Sequence, residues 1–285
     1  MASINTARVE RVAGALKELG LDNILLIEEK LDPQYSVMQT IAKRHGRGVA
    51  AVYGALTALI SYKLTMPGEE WWSCLAEYLK STDTPAGLDE VASGVIGFID
   101  WCRGSIIARD AKKRRISRVV ANARHILEEI LANPDIVIEE PTRIVNSIAK
   151  ALGVDAWRKT VVFSLKMAYY AVRRPGSLTP LEATIPLPVD IRVSCLTYTS
   201  GILNAKGYRE IQVKQRPAQE AWRIVSMKSG VPPMHIDTII WLSGRYVREY
   251  ERDKARLMIA SMLGKVVDRK AALRVASELT WRECR

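Results

Sequence analysis

Ile148-Ala-Lys-Ala-Leu-Gly-Val-Asp-Ala-Trp-Arg-Lys-Thr160, running on through Val161-Val-Phe-Ser-Leu-Lys166, reads as a helix, a tight turn at Gly153 and a second helix. Glycine as a helix stop followed by Asp155 as an N-cap is ordinary helix grammar. The same hairpin can also present backbone N–H groups and a positive helix end to a phosphate. In the second helix Lys159, Phe163 and Lys166 stand at i, i+4 and i+7, within a sector of roughly 60°. Two amines and one ring therefore share a face. A lysine that shares a cleft with an aspartate is equipped for imine chemistry.

Outward from this hairpin, helical periodicity continues in both directions. Val9, Val12, Leu16 and Leu19 form one apolar stripe, Val37 and Ile41 begin another, and Ala50 to Ile60 reads as a buried helix. Period-2 alternation is nearly absent, so the chain is expected to be all-α. Breaks at Gly20, Asp32-Pro33, Gly46, Pro67-Gly68, Pro85, Pro134, Gly153, Arg174-Pro-Gly-Ser177, Pro186 to Pro188, Pro217 and Pro232-Pro233 predict about a dozen helices. The best internal boundary falls between Asn133 and Pro141, where a basic helix ends and a new one starts near Pro141. It predicts a helical-bundle subdomain over 34–139 and a second, hairpin-containing subdomain from 1–33 and 140–285. The interruption from Arg174 to Pro188 is long enough to be a functional loop.

The 285 residues carry 42 Lys plus Arg against 31 Asp plus Glu, a net charge of +11 spread along the chain. That balance favours a polyanionic partner, although a basic solvated surface accounts for it equally well. Four cysteines without a C-x-x-C pair suggest neither a zinc ribbon nor a disulfide framework, so reduced, mostly buried thiols are expected. Three scattered histidines offer no metal spacing, and no metal is expected. The uncharged stretch from Gly48 to Tyr62 is too short to cross a bilayer and the first residues lack a signal-type apolar run, so a soluble, cytoplasmic protein without membrane contact is expected.

Several further residues carry two readings each. Asp190 follows Pro188 as an acid in a first helical turn: it either stabilises the helix dipole or supplies an ionised carboxylate opposite a lysine. Asp237 and Trp241 share a face just after Pro232-Pro233, as half core and half cap or as a grip on a planar polar ligand. Gln34, in the first turn after Pro33, faces water or reads a base edge. In Glu69-Glu-Trp-Trp72 the indoles point to different sides of a helix, so at most one is expected to face the core. Arg109-Asp-Ala-Lys-Lys-Arg-Arg-Ile-Ser-Arg118 packs six cations into ten residues, by default a solvated face and otherwise a phosphate contact.

Together the blocks Asp32-Pro-Gln-Tyr35, Lys43-Arg-His-Gly46, Ala58 to Thr65, Gly68-Glu-Glu70 with Trp72, Lys159-Thr-Val-Val-Phe163 with Lys166, Ile185-Pro-Leu-Pro-Val-Asp190 with Arg192, and Pro233 to Arg245 resemble the archaeal GO glycosylases (AGOG). These form a branch of the helix-hairpin-helix DNA glycosylases that excise 8-oxoguanine. The resemblance implies two helical subdomains with the active site in the cleft between them, and a monomer acting on 8-oxoguanine DNA without cofactor. It implies Lys159 as nucleophile, with Lys166 of the same face, nearer to Asp190 in sequence, as the alternative, and Asp190 as catalytic carboxylate. Gln34, Trp72, Phe163, Lys166, Asp237 and Trp241 would line the base pocket.

The implied reaction extrudes the damaged nucleotide, displaces its base by lysine attack and cuts the strand by β-elimination of the resulting Schiff base. The alternatives from the residues alone are a non-catalytic hairpin DNA-binding module and a monofunctional glycosylase that uses water. Two features depart from the wider superfamily. Gly153-Val154 is followed by Asp155 where a second hairpin glycine is usual. Only Cys284 lies near the C-terminus, against an iron–sulfur cluster.

Overall fold

A computed structural model describes residues 3–284. Packing divides the chain into two compact units: residues up to Asp32 together with Pro180 onward, and Pro33–Thr179. The first unit opens with β1 (Ser3–Ile4), α1 (Thr6–Leu19) and α2 (Leu21–Leu31). Asn5 caps α1 by accepting the Arg8 N–H, and Gly20 at φ 82° turns the chain between the helices, as its place in the sequence predicts.

The second unit holds α3 (Pro33–His45), α4 (Arg47–Leu59), α5 (Gly68–Lys80), α6 (Leu88–Trp101), α7 (Arg109–Asn122), α8 (Arg124–Ala132), α9 (Ile136–Glu139), α10 (Pro141–Leu152) and α11 (Lys159–Val172). Prolines stand at the first helical position of α3 and α10, where a missing N–H costs nothing. Helix α11 is buried almost continuously from Val161 to Val172, and each fully buried aliphatic side chain contributes about 1.5–3 kcal/mol. It lies directly on α4: a Cβ at Gly54 would sit 2.9 Å from the Met167 carbonyl oxygen, so only glycine permits the approach. Residues 140–179, grouped with the C-terminal part on the sequence reading, pack through α10 and α11 onto α3, α4, α7 and α9.

The chain then returns to the first unit with α12 (Ile191–Ser200), β2 (Leu203–Asn204), α13 (Tyr208–Val213), α14 (Gln215–Ser229), α15 (Pro233–Glu249), α16 (Arg252–Leu263) and α17 (Arg269–Leu279). Its core joins Val9, Leu16, Val193, Leu196, Trp222, Ile236, Ile240, Ile259 and Leu279. The antiparallel pairing of β1 with β2 is two residues long. The protein is therefore all-α, with seventeen α-helices among the described residues where the sequence breaks predicted about a dozen. No helix among them is long and apolar enough to cross a membrane.

Two expectations are corrected. Cys195 and Cys284 form a disulfide with Cα atoms 5.6 Å apart, rather than remaining reduced. Cys74 and Cys102 are free, and burial pushes the Cys102 thiol up. Trp71 and Trp72 are both buried rather than one of them, because Trp71 packs on Phe98 and Trp72 on Phe163.

Candidate active site

In the Pro33–Thr179 unit, the hairpin is built as the sequence predicts up to Gly153, which caps α10 at φ 64° while its N–H donates back to Ala149 and Lys150. Beyond it Asp155 is not the N-cap of the next helix. Its carboxylate accepts the Trp157 N–H at 2.7 Å in a local turn, and α11 begins four residues later. Lys159 is the first residue of α11, half-buried, after Arg158, whose side chain makes no cap bond. The Thr160 hydroxyl accepts from Arg115 Nη2 of α7 at 2.9 Å, tying this first turn to the neighbouring helix.

One turn on, Phe163 meets Trp72 edge to face, with ring centroids 5.9 Å apart at 79°. Trp72 is held from behind by Trp71 at 5.4 Å, and Trp71 Nε1 donates to Ser105 Oγ at 2.9 Å. The indole against Phe163 is thus fixed on two sides. Lys166 is buried, 2% exposed, with Nζ 5.5 Å from the Tyr170 ring centroid. Tyr170 follows Lys166 at i+4, a spacing that could have identified it. Gln34, the second residue of α3, is also buried.

In the other unit, Asp190 is the N-cap of α12 rather than an acid of its first turn: Oδ1 accepts the Val193 N–H at 2.9 Å, and the Asp190 carbonyl accepts the Ser194 N–H at 2.8 Å. The helix starts at Ile191, three positions later than Pro188 suggested. Asp237 is buried on α15 and Trp241 half-buried one turn on. The Arg192 guanidinium lies 4.4 Å from the Trp241 ring centroid, so α12, which Asp190 caps, and α15 bring Arg192 and Trp241 together.

The start of α15 is fixed by a buried network. Leu181 N–H donates to His235 Nε2 at 2.9 Å, which places the ring proton on Nδ1, facing Glu28 Oε1 at 2.9 Å. The Thr238 hydroxyl donates to the same oxygen at 2.9 Å. No spacing in the sequence joins Glu28, Leu181 and His235.

Each unit thus carries part of the predicted residue set: an amine at a helix start with an aromatic pair and a buried lysine in one, a capping carboxylate, a buried carboxylate and an indole in the other. Among the described residues no three His, Cys, Asp or Glu side chains gather as a metal site.

The sequence profile of AGOG, described as N-glycosylase/DNA lyase, matches residues 13–275. An N-glycosylase/DNA lyase from Aeropyrum pernix is 42% identical over 278 residues, 97% of this chain and 96% of its own. One from Pyrobaculum aerophilum is 30% identical over 244 residues, covering 85% and 88%. The crystal structure of the 8-oxoguanine DNA glycosylase from Pyrobaculum aerophilum, complexed with 8-oxoguanosine, superposes with a TM-score of 0.77 at 27% identity over 99% of both chains. With a helical architecture shared over its whole length and a family match spanning nearly all of it, the chain belongs to the AGOG family of N-glycosylase/DNA lyases.

Proposed function

We propose that this enzyme excises 8-oxoguanine from DNA with Lys159 as nucleophile and then cuts the abasic strand. The observation that carries the substrate is the full-length likeness to a glycosylase crystallised with 8-oxoguanosine. The choice of Lys159 is supported by its half-buried place at the start of α11, since Lys166 is buried against Tyr170.

In this reading the lesion is extruded from the helix at a cost of a few kcal/mol. Stacking on Phe163 and Trp241 offsets that by about 1–3 kcal/mol per contact. Gln34, Trp72, Lys166 and Asp237 complete the lining and hold the purine edge. The Lys159 amine donates its lone pair to C1′, the N-glycosidic bond breaks, and the base leaves with the bonding electrons and takes up a proton. Asp190 stabilises positive charge on the sugar and assists proton transfer. The attached amine then gives up a proton, the C1′–O4′ bond opens with O4′ taking up a proton, and the amine and C1′ share a Schiff base; loss of a C2′ proton expels the 3′ phosphate and breaks the strand. No cofactor takes part, and the enzyme works inside the cell as a monomer.

Borohydride reduces the Schiff base to a stable amine and so traps the protein on an 8-oxoguanine duplex. Trapping by the unmodified protein and its loss in Lys159→Gln is the expected result. Trapping that persists in Lys159→Gln and disappears in Lys166→Ala would move the nucleophile. Base release without any strand cleavage or trapping would replace the lysine mechanism by attack of water.

A further inference from the structure

The six cations of Arg109 to Arg118 do not form one uniform solvated face. Lys113 and Arg109 stand 2.7 Å and 3.9 Å from the Asp100 carboxylate. Arg115 turns inward to Thr160. Lys112 is fully buried, its Nζ lying 5.6 Å from the Tyr62 ring centroid and donating to the Ser105 carbonyl at 3.5 Å. Burial lowers its pKa; Cys102 opposes the fall and Arg109 adds to it. Burying an amine is costly unless polar groups answer it, and here the answering carbonyl belongs to one short turn.

That turn, the 3₁₀ segment Arg103–Ser105, links α6 to α7 within the Pro33–Thr179 unit. Each of its carbonyls accepts a hydrogen bond from outside the turn: Arg103 from the Thr65 hydroxyl at 2.9 Å, Gly104 from the Thr65 N–H at 3.2 Å, and Ser105 from Lys112. The Ser105 N–H donates back to the Cys102 carbonyl at 2.9 Å. The turn also receives Trp71, whose indole N–H is taken by the buried Ser105 hydroxyl at 2.9 Å. It presses on that ring as well, since a Cβ at Gly104 would lie 2.7 Å from Trp71 Cδ1 and from Met66 Cγ.

From Ser105 the contacts run without a break to the ring on which the base is read to stack. Trp71 meets Trp72 at 5.4 Å and 81°, and Trp72 meets Phe163 at 5.9 Å and 79°. Edge-to-face pairs are directional, so the plane of each ring follows that of the ring behind it. We propose that Ser105 and Lys112 are positioning residues for base excision: the Arg103–Ser105 turn, pinned by Lys112 and Thr65, sets the plane of Phe163 through Trp71 and Trp72. The proposal rests on the glycosylase reading above, in which Phe163 stacks on the extruded base. An ill-held base spends less time aligned for attack at C1′. Cleavage at an abasic site has no base to hold and is spared.

Two substrates separate positioning from general damage. One is a duplex containing 8-oxoguanine, scored for base release in single turnover; the other carries a pre-formed abasic site and is scored for strand cleavage and borohydride trapping. Ser105→Ala leaves the Trp71 N–H buried without its acceptor, and Lys112→Met keeps the apolar stem while removing the amine. Each is expected to slow base release about tenfold, the worth of roughly one buried hydrogen bond, and to leave abasic-site cleavage at the parental rate. In a Trp71→Phe background, which has no indole N–H, Ser105→Ala is expected to add little. Equal loss on both substrates overturns the proposal, as does unchanged base release in both variants or a full effect of Ser105→Ala in the Trp71→Phe background. If Lys112→Met does not fold, the Ser105→Ala and Trp71→Phe pair decides alone. An unmodified protein that cleaves the abasic duplex but releases no base overturns the glycosylase reading and this proposal with it.

Discussion

The Arg192 guanidinium covers the Trp241 indole because residue 244, three positions further along α15, has no side chain. A Cβ there would lie 2.5 Å from the Arg192 Cβ and 3.2 Å from its Cα, so backbone as well as side chain would have to move. Gly244→Ala is expected to cost about 1–3 kcal/mol of stability through overpacking. It should also displace Trp241, lowering the base-excision rate more than the affinity for undamaged duplex. Thermal melts and single-turnover excision on the same preparation check both parts.

Asp190 caps α12 and, in the proposed mechanism, is also the catalytic carboxylate, and two substitutions separate these roles. Asp190→Asn keeps an oxygen for the Val193 N–H and loses the charge; Asp190→Ala loses both. On the capping role alone, alanine costs about 0.5–2 kcal/mol and asparagine little. With the catalytic role added, both variants lose excision, and the asparagine variant does so at nearly unchanged melting temperature. An asparagine variant with ordinary excision kinetics would leave Asp190 as a cap alone.

Much of this arrangement is legible in the sequence because it is local. Pro33, Pro141 and Pro233 begin helices and Gly20 and Gly153 end them, since both residue types act through their own φ angles. The i, i+4 and i+7 relation of Lys159, Phe163 and Lys166 follows from helical pitch. What escapes is decided by packing between distant segments. Asp155 looks like an N-cap, but the chain spends three more residues in a turn before α11 docks on α4. The Glu28–His235–Leu181 network and the Arg192–Trp241 stack join elements with no common spacing, and Trp71 and Trp72 are both buried because two different walls receive them.

The Cys195–Cys284 bridge escapes for the same reason, closing a separation of 89 residues. It ties the last described residues to α12, the helix that Asp190 caps. Disulfides of this kind typically contribute about 2–4 kcal/mol. Dithiothreitol is therefore expected to lower the melting temperature by about 5–10 °C, and Cys284→Ser to show the lower value with or without reductant. Thiol titration of the denatured protein should count two free thiols before reduction and four after.

Arg47 grips Asp135 with Nη1 at 2.7 Å and Nη2 at 3.2 Å, joining α4 to the segment ahead of α9. The Arg47 hydrogen bond holds the Asp135 carboxyl below its usual 3.8, so the pair's contribution is complete above about pH 4 and disappears as pH falls through the depressed folded value. Because both side chains are partly exposed, the contribution is about 1 kcal/mol or less. Urea unfolding should show Asp135→Asn less stable than the parent near pH 6, with the gap closing below about pH 4.

The contact of Gly54 with the Met167 carbonyl leaves no compressible side chain between α4 and the helix that begins with Lys159. Any enlargement there shifts the α11 backbone and the Lys159 amine with it. A random-mutagenesis screen scored only by loss of excision will therefore return residues along the α4–α11 seam beside those that touch the base, and a melt on each hit is what tells the two groups apart.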